Sequence, residues 1–380
     1  MEHFMTRHFQ LTAIAVLLGV SGIAQAALTV TSGPVSFSGS ASVTATGGQV
    51  ASTTNSNNGA TIANVALGQF DVANGVLTGV DIQLTSNRTQ TINGSGNKNN
   101  GPGRTVNGSG TSNALMSAAG VSAAFVPNLT QAGSGCALAH GPTGPVNCSW
   151  GPNTAAAATT DTTVGADDQN LKDYVGGGSV NASLSLPTLS ATTTMSSTAG
   201  QPGSGSSATY KVDWAGSLQA NYSYLLHSLA SFDASSANNT LTLDFGTVAQ
   251  NTGPTLSFSL FNLADADRIG LDLDSVSGSG DTGALTTNLT AFNDLAQGSS
   301  VAFIANLLTS TTGVFSAQYL INLSDADFGA SSTRQNHQLT LNLVGNVVGN
   351  VAAVPVPGAV WLFGSAMLGL VGLQKRKRLA

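Results

Sequence analysis

An all-β chain of two sandwich domains, set between a leader and a short terminal helix, is what this sequence predicts, and three observations carry that expectation. The chain holds 45 Gly among 380 residues together with abundant Ser, Thr and Asn, the residue types of strands and turns. Its only Glu is Glu2, so the charged helix formers that stock exposed helix faces are scarce. Apolar and small polar residues alternate in many segments with the period of two that a half-buried strand requires. An apolar content of 41 % separates the chain from a disordered polar one and is enough to bury a core.

Taken in order, residues 1–26 read as a secretory signal peptide. Arg7 and His8 precede an apolar stretch over residues 11–23, and Ala24-Gln25-Ala26 supplies the small-residue cleavage site. The competing reading, a membrane anchor, needs about 20 apolar residues, more than this stretch holds.

Residues 27–233 read as the N-terminal sandwich. A strand pair is expected over residues 28–47, with a Gly-Pro break between its halves. Residues 62–70 and 76–84 read as a hairpin across Asn74-Gly75, both of which tolerate positive φ. Residues 91–117 and 133–168 are so poor in large apolar side chains that they read as long loops. Strands resume over residues 179–194 and 208–226. There Tyr210, Val212 and Trp214 alternate with Lys211 and Asp213, which puts the large rings on one buried face.

A composition shift at residues 234–239 opens the second domain, residues 234–350. Seven strands are expected to begin near Thr240, Thr255, Gly270, Ala284, Ser299, Gly313 and His337, the count of an immunoglobulin-like sandwich. The phrase Asn-Leu-x-Asp-Ala-Asp recurs at Asn262 and Asn322; two copies do not make a repeat array.

Residues 351–380 form the tail. Val354-Pro355-Val356-Pro357 precedes an apolar run over residues 358–373, and Lys375, Arg376, Lys377 and Arg378 follow it. Proline suits the first turn of a helix and breaks anything earlier, so a transmembrane helix is expected from Gly358. Its length, about 24 Å, matches a hydrocarbon core of about 30 Å only with snorkelling or local thinning. The basic cluster would stay cytoplasmic and hold residues 27–350 outside.

These features together, a Pro-x-Pro motif, a helix containing Trp-Leu-Phe-Gly-Ser and a basic terminus, resemble the PEP-CTERM sorting signal of Gram-negative bacteria. Val356 stands where the family name has Glu, and "VPVPGAVWLFGS" resembles a common variant. The resemblance implies export, an intermediate held at the inner membrane, and transfer to the surface or exterior by a membrane protease called exosortase, in a setting of exopolysaccharide and biofilm. "LGQFDVANGVLTGVDIQLTS" at Leu67 is similar to the opening of the choice-of-anchor E domain of surface proteins. The segment from "LDFGTVAQ" at Leu243 to "LTLNLVGNV" looks like immunoglobulin-like repeats in other proteins of this sorted class. None of these resemblances brings catalytic residues with it.

Charge excludes one class of partner. With Arg7 and the four tail residues set aside from 12 Lys and Arg, seven remain over residues 27–350 against 17 Asp, a net charge near −10 that would repel nucleic acid. Cys136 and Cys148 are expected to pair in an oxidising compartment, stapling a short Gly- and Pro-rich loop. A metal site using His140 between them has no fourth ligand nearby. His140, His227 and His337 stand apart in sequence, and "GSGDTG" at Gly278 lacks the following helix that a nucleotide site needs. Asp265, Asp267, Asp272 and Asp274, with Asp325 and Asp327, are weak candidates for Ca²⁺, because alternate carboxylates near a turn can wrap the ion; the competing reading is solvated turns.

The expected function is therefore that of an exported, non-enzymatic surface or matrix protein with no cofactor. The alternative is a carbohydrate-binding or adhesion module presenting Trp150, Trp214 and Tyr222 or Tyr224 to sugars. A glycan hydrolase using two Asp is the third and weakest reading.

Overall fold

A computed structural model describes residues 27–47, 52–98, 103–155, 158–164, 168–197, 205–349 and 358–376. Ala24 and Ala26 of the expected cleavage site, Val354, Pro355, Val356 and Pro357 of the sorting motif, and Lys377 and Arg378 lie outside the described residues. Among the described residues strand makes up 68 % and helix 7 %, so the protein is all-β and built of packed sheets.

The first twelve strands are β1 (Leu28–Thr31), β2 (Val35–Gly47), β3 (Ser52–Ser56), β4 (Ala60–Gly68), β5 (Val76–Lys98), β6 (Arg104–Ala118), β7 (Val121–Leu138), β8 (Gly144–Thr154), β9 (Ala158–Thr163), β10 (Ser179–Leu186), β11 (Leu189–Ser197) and β12 (Ser206–Leu225). They form two six-stranded sheets. In one, β5 and β12 pair antiparallel from Val76↔Leu225 to Gly96↔Ser206, while β8 and β9 line the other edge of β5. Strands β1 and β2 share the other edge of β12 and do not pair with each other. The second sheet runs β3-β11-β6-β10-β4, with β7 on β6. Tyr210, Val212 and Trp214 are all fully buried between the sheets, as their alternation on β12 requires.

Two expectations fail here. Residues 62–70 and 76–84 are not a hairpin, because β4 pairs with β10 in one sheet and β5 with β12 in the other. Between them Asp71 caps a short 3₁₀ turn, Val72–Asn74, by accepting from the Ala73 amide. Gly75 then passes so close to Leu225 that a Cβ would sit 2.1 Å from its carbonyl oxygen; at φ 147° the chain crosses between sheets instead of doubling back.

The supposed loops at 91–117 and 133–168 are largely strand: the end of β5, then β6, β7, β8 and β9. Their inward positions are held by small residues because rings from the facing sheet occupy the space. A Cβ on Gly110 would meet Tyr210 Cγ at 2.2 Å, and one on Gly133 would meet Trp150 Cδ2 at 2.0 Å. Alternation persists, but with glycine in the place of the large apolar residue.

The C-terminal sandwich comprises β13 (Ala230–Ser231), β14 (Thr240–Ala249), β15 (Thr255–Asn262), β16 (Leu271–Gly280), β17 (Leu285–Thr287), β18 (Phe292–Leu295), β19 (Ser300–Leu307), β20 (Gly313–Asp325) and β21 (Asn336–Val348). One sheet runs β13-β15-β19-β17 and the other β14-β21-β20-β16-β18, with β14 parallel to β21. All seven expected strands form; the short β13 and β18 are additional. The short β13, ahead of residue 234, pairs with β15. The Asp233-Ala234-Ser235-Ser236 segment that follows is a turn in which the Asp233 carboxylate, at the surface, accepts from the amides and hydroxyls of Ser235 and Ser236. Those bonds hold its pKa down to about 2. Phe258, Leu260, Leu273, Phe303, Ile321 and Leu341 fill the core between the two sheets.

In the tail a helix forms over Ala359–Arg376, beginning where the prolines predict. It corrects the expected transmembrane span: among the described residues no helix is long and apolar enough to cross a membrane. The physical reason is its last turn, where Gln374, Lys375 and Arg376 end the apolar run after about 22 Å of helix at 1.5 Å per residue.

Candidate functional site

Ionisable side chains converge at the joint between the sandwiches. The connecting residues Leu226, His227, Ser228 and Leu229 are held on both sides by the two copies of Asn-Leu-x-Asp-Ala-Asp. From the first copy, the buried Asn262 accepts from the Leu229 amide at 3.0 Å, and the Asp267 carbonyl accepts from the Leu226 amide at 2.8 Å. From the second, the Asp325 carboxylate accepts from the Ser228 amide at 2.8 Å and the Ser228 hydroxyl at 2.7 Å. Asp325 also accepts from the Gln335 amide at 2.8 Å and meets His227 Nδ1 at 2.7 Å. His337 Nε2 stands 3.6 Å from its other oxygen, beyond hydrogen-bond distance.

Asp325 is only 1 % exposed. Burial pushes its carboxyl up, but the bonds from His227, Gln335 and Ser228 and the nearness of His337 outweigh burial and hold it well below the usual carboxylate range.

The C-terminal sandwich also grips the N-terminal one directly. The Ala330 amide donates to the Leu77 carbonyl at 2.8 Å, the Leu77 amide donates to Thr333 Oγ1 at 3.1 Å, and Ala330 is buried in the N-terminal core. Gly329 permits this approach: it sits at φ 66°, and a Cβ there would come within 2.5 Å of the Leu77 oxygen. Val76, Leu225, Ile269 and Ala326 seal the joint with apolar surface. Ser228 is not set up as a nucleophile here, because its hydroxyl donates to the carboxylate and not to an imidazole, and His337 Nε2 is buried beside the network with no hydrogen-bond partner.

The calcium candidates do not converge. Asp265 pairs with Arg268 at 3.1 Å, Asp267 contributes its carbonyl to the joint, Asp272 accepts from the Asp294 amide, and Asp274 accepts from Ser324. Burial raises the Asp272 pKa, helped by the charges of Asp327, Asp274 and Asp294 and opposed by the Asp294 amide. Among the described residues no group of three His, Cys, Asp or Glu side chains is placed to hold a metal.

Cys136 and Cys148 form a disulfide, joining β7 of one sheet to β8 of the other beside buried Val106, Leu138 and Met195. The rings offered to sugars are mostly inside: Trp214 and Tyr222 are buried, Tyr224 is half-buried, and Trp150 lies over Gly133 with its indole N–H donating to the Ser134 carbonyl. Outside the disulfide, a recess of about 360 Å³ is lined by groups including Asn93, Ser95, Asn147, Ser149, Ser207 and Thr209, with hydroxyls and amides but no ring. "GSGDTG" spans the end of β16 and a turn, with no helix to follow.

Sequence reasoning missed two features. His227 and His337 look isolated in the chain, yet both reach Asp325; the repeated Asn-Leu-x-Asp-Ala-Asp was the available signal. Arg88 and Gln90 are buried in the N-terminal core, with Arg88 5.9 Å from the Trp214 ring and Gln90 accepting from the Tyr210 hydroxyl at 2.6 Å. Their parity with Ile82 and Leu84 on β5 would have placed them there.

No protein-family model and no curated protein matches the chain. Among solved structures, a PapD-like domain of human CEP192 gives a TM-score of 0.22 at 8 % identity, covering 32 % of this chain and 87 % of that one. The Vibrio cholerae VesB protease gives 0.21 at 12 % identity over 34 % of this chain and 37 % of its own. A nucleoside hydrolase-related protein from Saccharophagus degradans gives 0.19 at 17 % identity over 33 % and 26 %. Likenesses this slight carry no argument about function.

Proposed function

We propose that this protein is an exported, non-enzymatic component of the cell surface or extracellular matrix, addressed by its two ends and built to endure outside the cell. The observation that supports this reading most is the terminal helix. Trp361 and Phe363 are 80 % and 70 % exposed, and Leu362, Met367 and Leu368 are exposed with them, so neither sandwich buries them. An apolar helix left uncovered beside a basic cluster suits handling at the inner membrane by an exosortase-type protease. The body fits its role as cargo: it is acidic, carries a disulfide suited to an oxidising compartment, and is rich in hydroxyl and amide groups suited to a polysaccharide matrix.

The test is made in the cells that produce the protein, by comparing it with a variant carrying Lys375, Arg376, Lys377 and Arg378 all changed to Gln. The native protein is expected outside the cell, and the variant is expected to accumulate unprocessed with the membranes. Equal release of both, at equal processing, overturns the reading.

A further inference from the structure

The joint places His227 between two acceptors. Nδ1 meets the Asp325 carboxylate at 2.7 Å and Nε2 meets the Val72 carbonyl at 3.1 Å. Neither acceptor can donate a proton, so only the doubly protonated ring satisfies both; a neutral imidazole turns a lone pair toward one oxygen. The two oxygens belong to different bodies. Val72 lies in the turn that leads into β5 of the N-terminal sandwich, and Asp325 ends β20 of the C-terminal one.

We propose that His227 is a protonation-gated clamp: its imidazolium adds a charged tie to the contacts that Leu77 makes with Ala330 and Thr333, and its deprotonation removes that tie and weakens the coupling of the two sandwiches. Charges around the ring come from each packed element. From the C-terminal sandwich, Asp325 favours the cation. Arg268, which donates to the His227 carbonyl and pairs with Asp265, opposes it, and His337 shares Asp325 with it. From the N-terminal sandwich, the Val72 carbonyl favours the cation, and Asp71 lies next in sequence with its carboxylate engaged on the Ala73 amide. Arg334 is occupied by Asp327. Burial alone would lower the His227 pKa, but the bonds to Asp325 and Val72 overcome it and the net direction is upward. The imidazole is 15 % exposed, so water can reach it to exchange the proton.

The sign follows from linkage. With the folded pKa above the unfolded value of about 6.5, the clamp is fully present below that pH and is lost as pH rises through the folded value. Calorimetry of the full-length protein is expected to show one unfolding transition at pH 6 that resolves into two by pH 9. His227→Gln, which cannot carry the charge, is expected to show two at both, and His140→Gln to behave as the native protein. Nitrogen-15 resonances of His227 report the gate directly in the native protein, whatever the fate of the variant: both ring nitrogens are expected protonated at pH 6 and one deprotonated as the transitions part. A neutral ring at pH 6, an unchanged pH response in His227→Gln, or one transition throughout the range overturns the proposal.

Discussion

Tyr210 and Trp150 fill the N-terminal core from one sheet, and glycine answers them from the other. This pairing makes particular glycines as consequential as large core residues. Gly110→Ala is expected to cost about 1–3 kcal/mol, because the new methyl must displace the Tyr210 ring in a packed interior. Gly177→Ala, where an added Cβ meets nothing within 4 Å, is expected to change stability by less than about 0.5 kcal/mol, as for an ordinary surface substitution. Urea denaturation of both variants checks the contrast. Asp325 is the polar counterpart, a buried charge whose value lies in its partners. Asp325→Asn keeps the shape but turns an amide toward groups that donate, and the expected cost is about 3–5 kcal/mol in the same assay. Because the folded carboxyl is held below its unfolded value of about 3.9, its contribution is present above that pH and is lost as pH falls below it. An acid titration of stability is therefore expected to fall more steeply below about pH 4 in the native protein than in Asp325→Asn.

Strands declare themselves in the sequence where large apolar residues mark the inward positions. That is why β12 and seven strands of the C-terminal sandwich are legible from alternation and turns. They are silent where the facing sheet supplies the bulk, so β6 and the end of β7, with Gly108, Gly110 and Gly133 inward, read as loops. The failed hairpin has a different cause. Asn74-Gly75 is a turn in either case, but local chemistry does not say which sheet the next strand will join; the distant partners, β10 for β4 and β12 for β5, set that. The joint was hidden for a third reason: His227, Asp325 and His337 are lone residues until the two copies of one strand-ending phrase bring them together. At the far end of the N-terminal sandwich, the link between β7 and β8 is expected to contribute about 3 kcal/mol to that body. Hydrogen exchange with and without reductant checks this: protection at the ends of β7 and β8 should fall while the C-terminal sandwich keeps its own.

Two bodies sharing a buried network, followed by an uncovered apolar helix, make a chain in which the fold and the proposed address are physically separate. The sandwiches hold themselves together through rings, small residues and one joint, and none of those contacts depends on Trp361 or Phe363. Removal of the tail, as proposed above, would therefore leave the contacts within and between the sandwiches intact. The intact mass of the protein recovered from outside the producing cells tests this most directly. The expected species begins at Ala27 and lacks Lys375, Arg376, Lys377 and Arg378; a species that retains residues 1–26 and the basic tail and stays within the cell contradicts it.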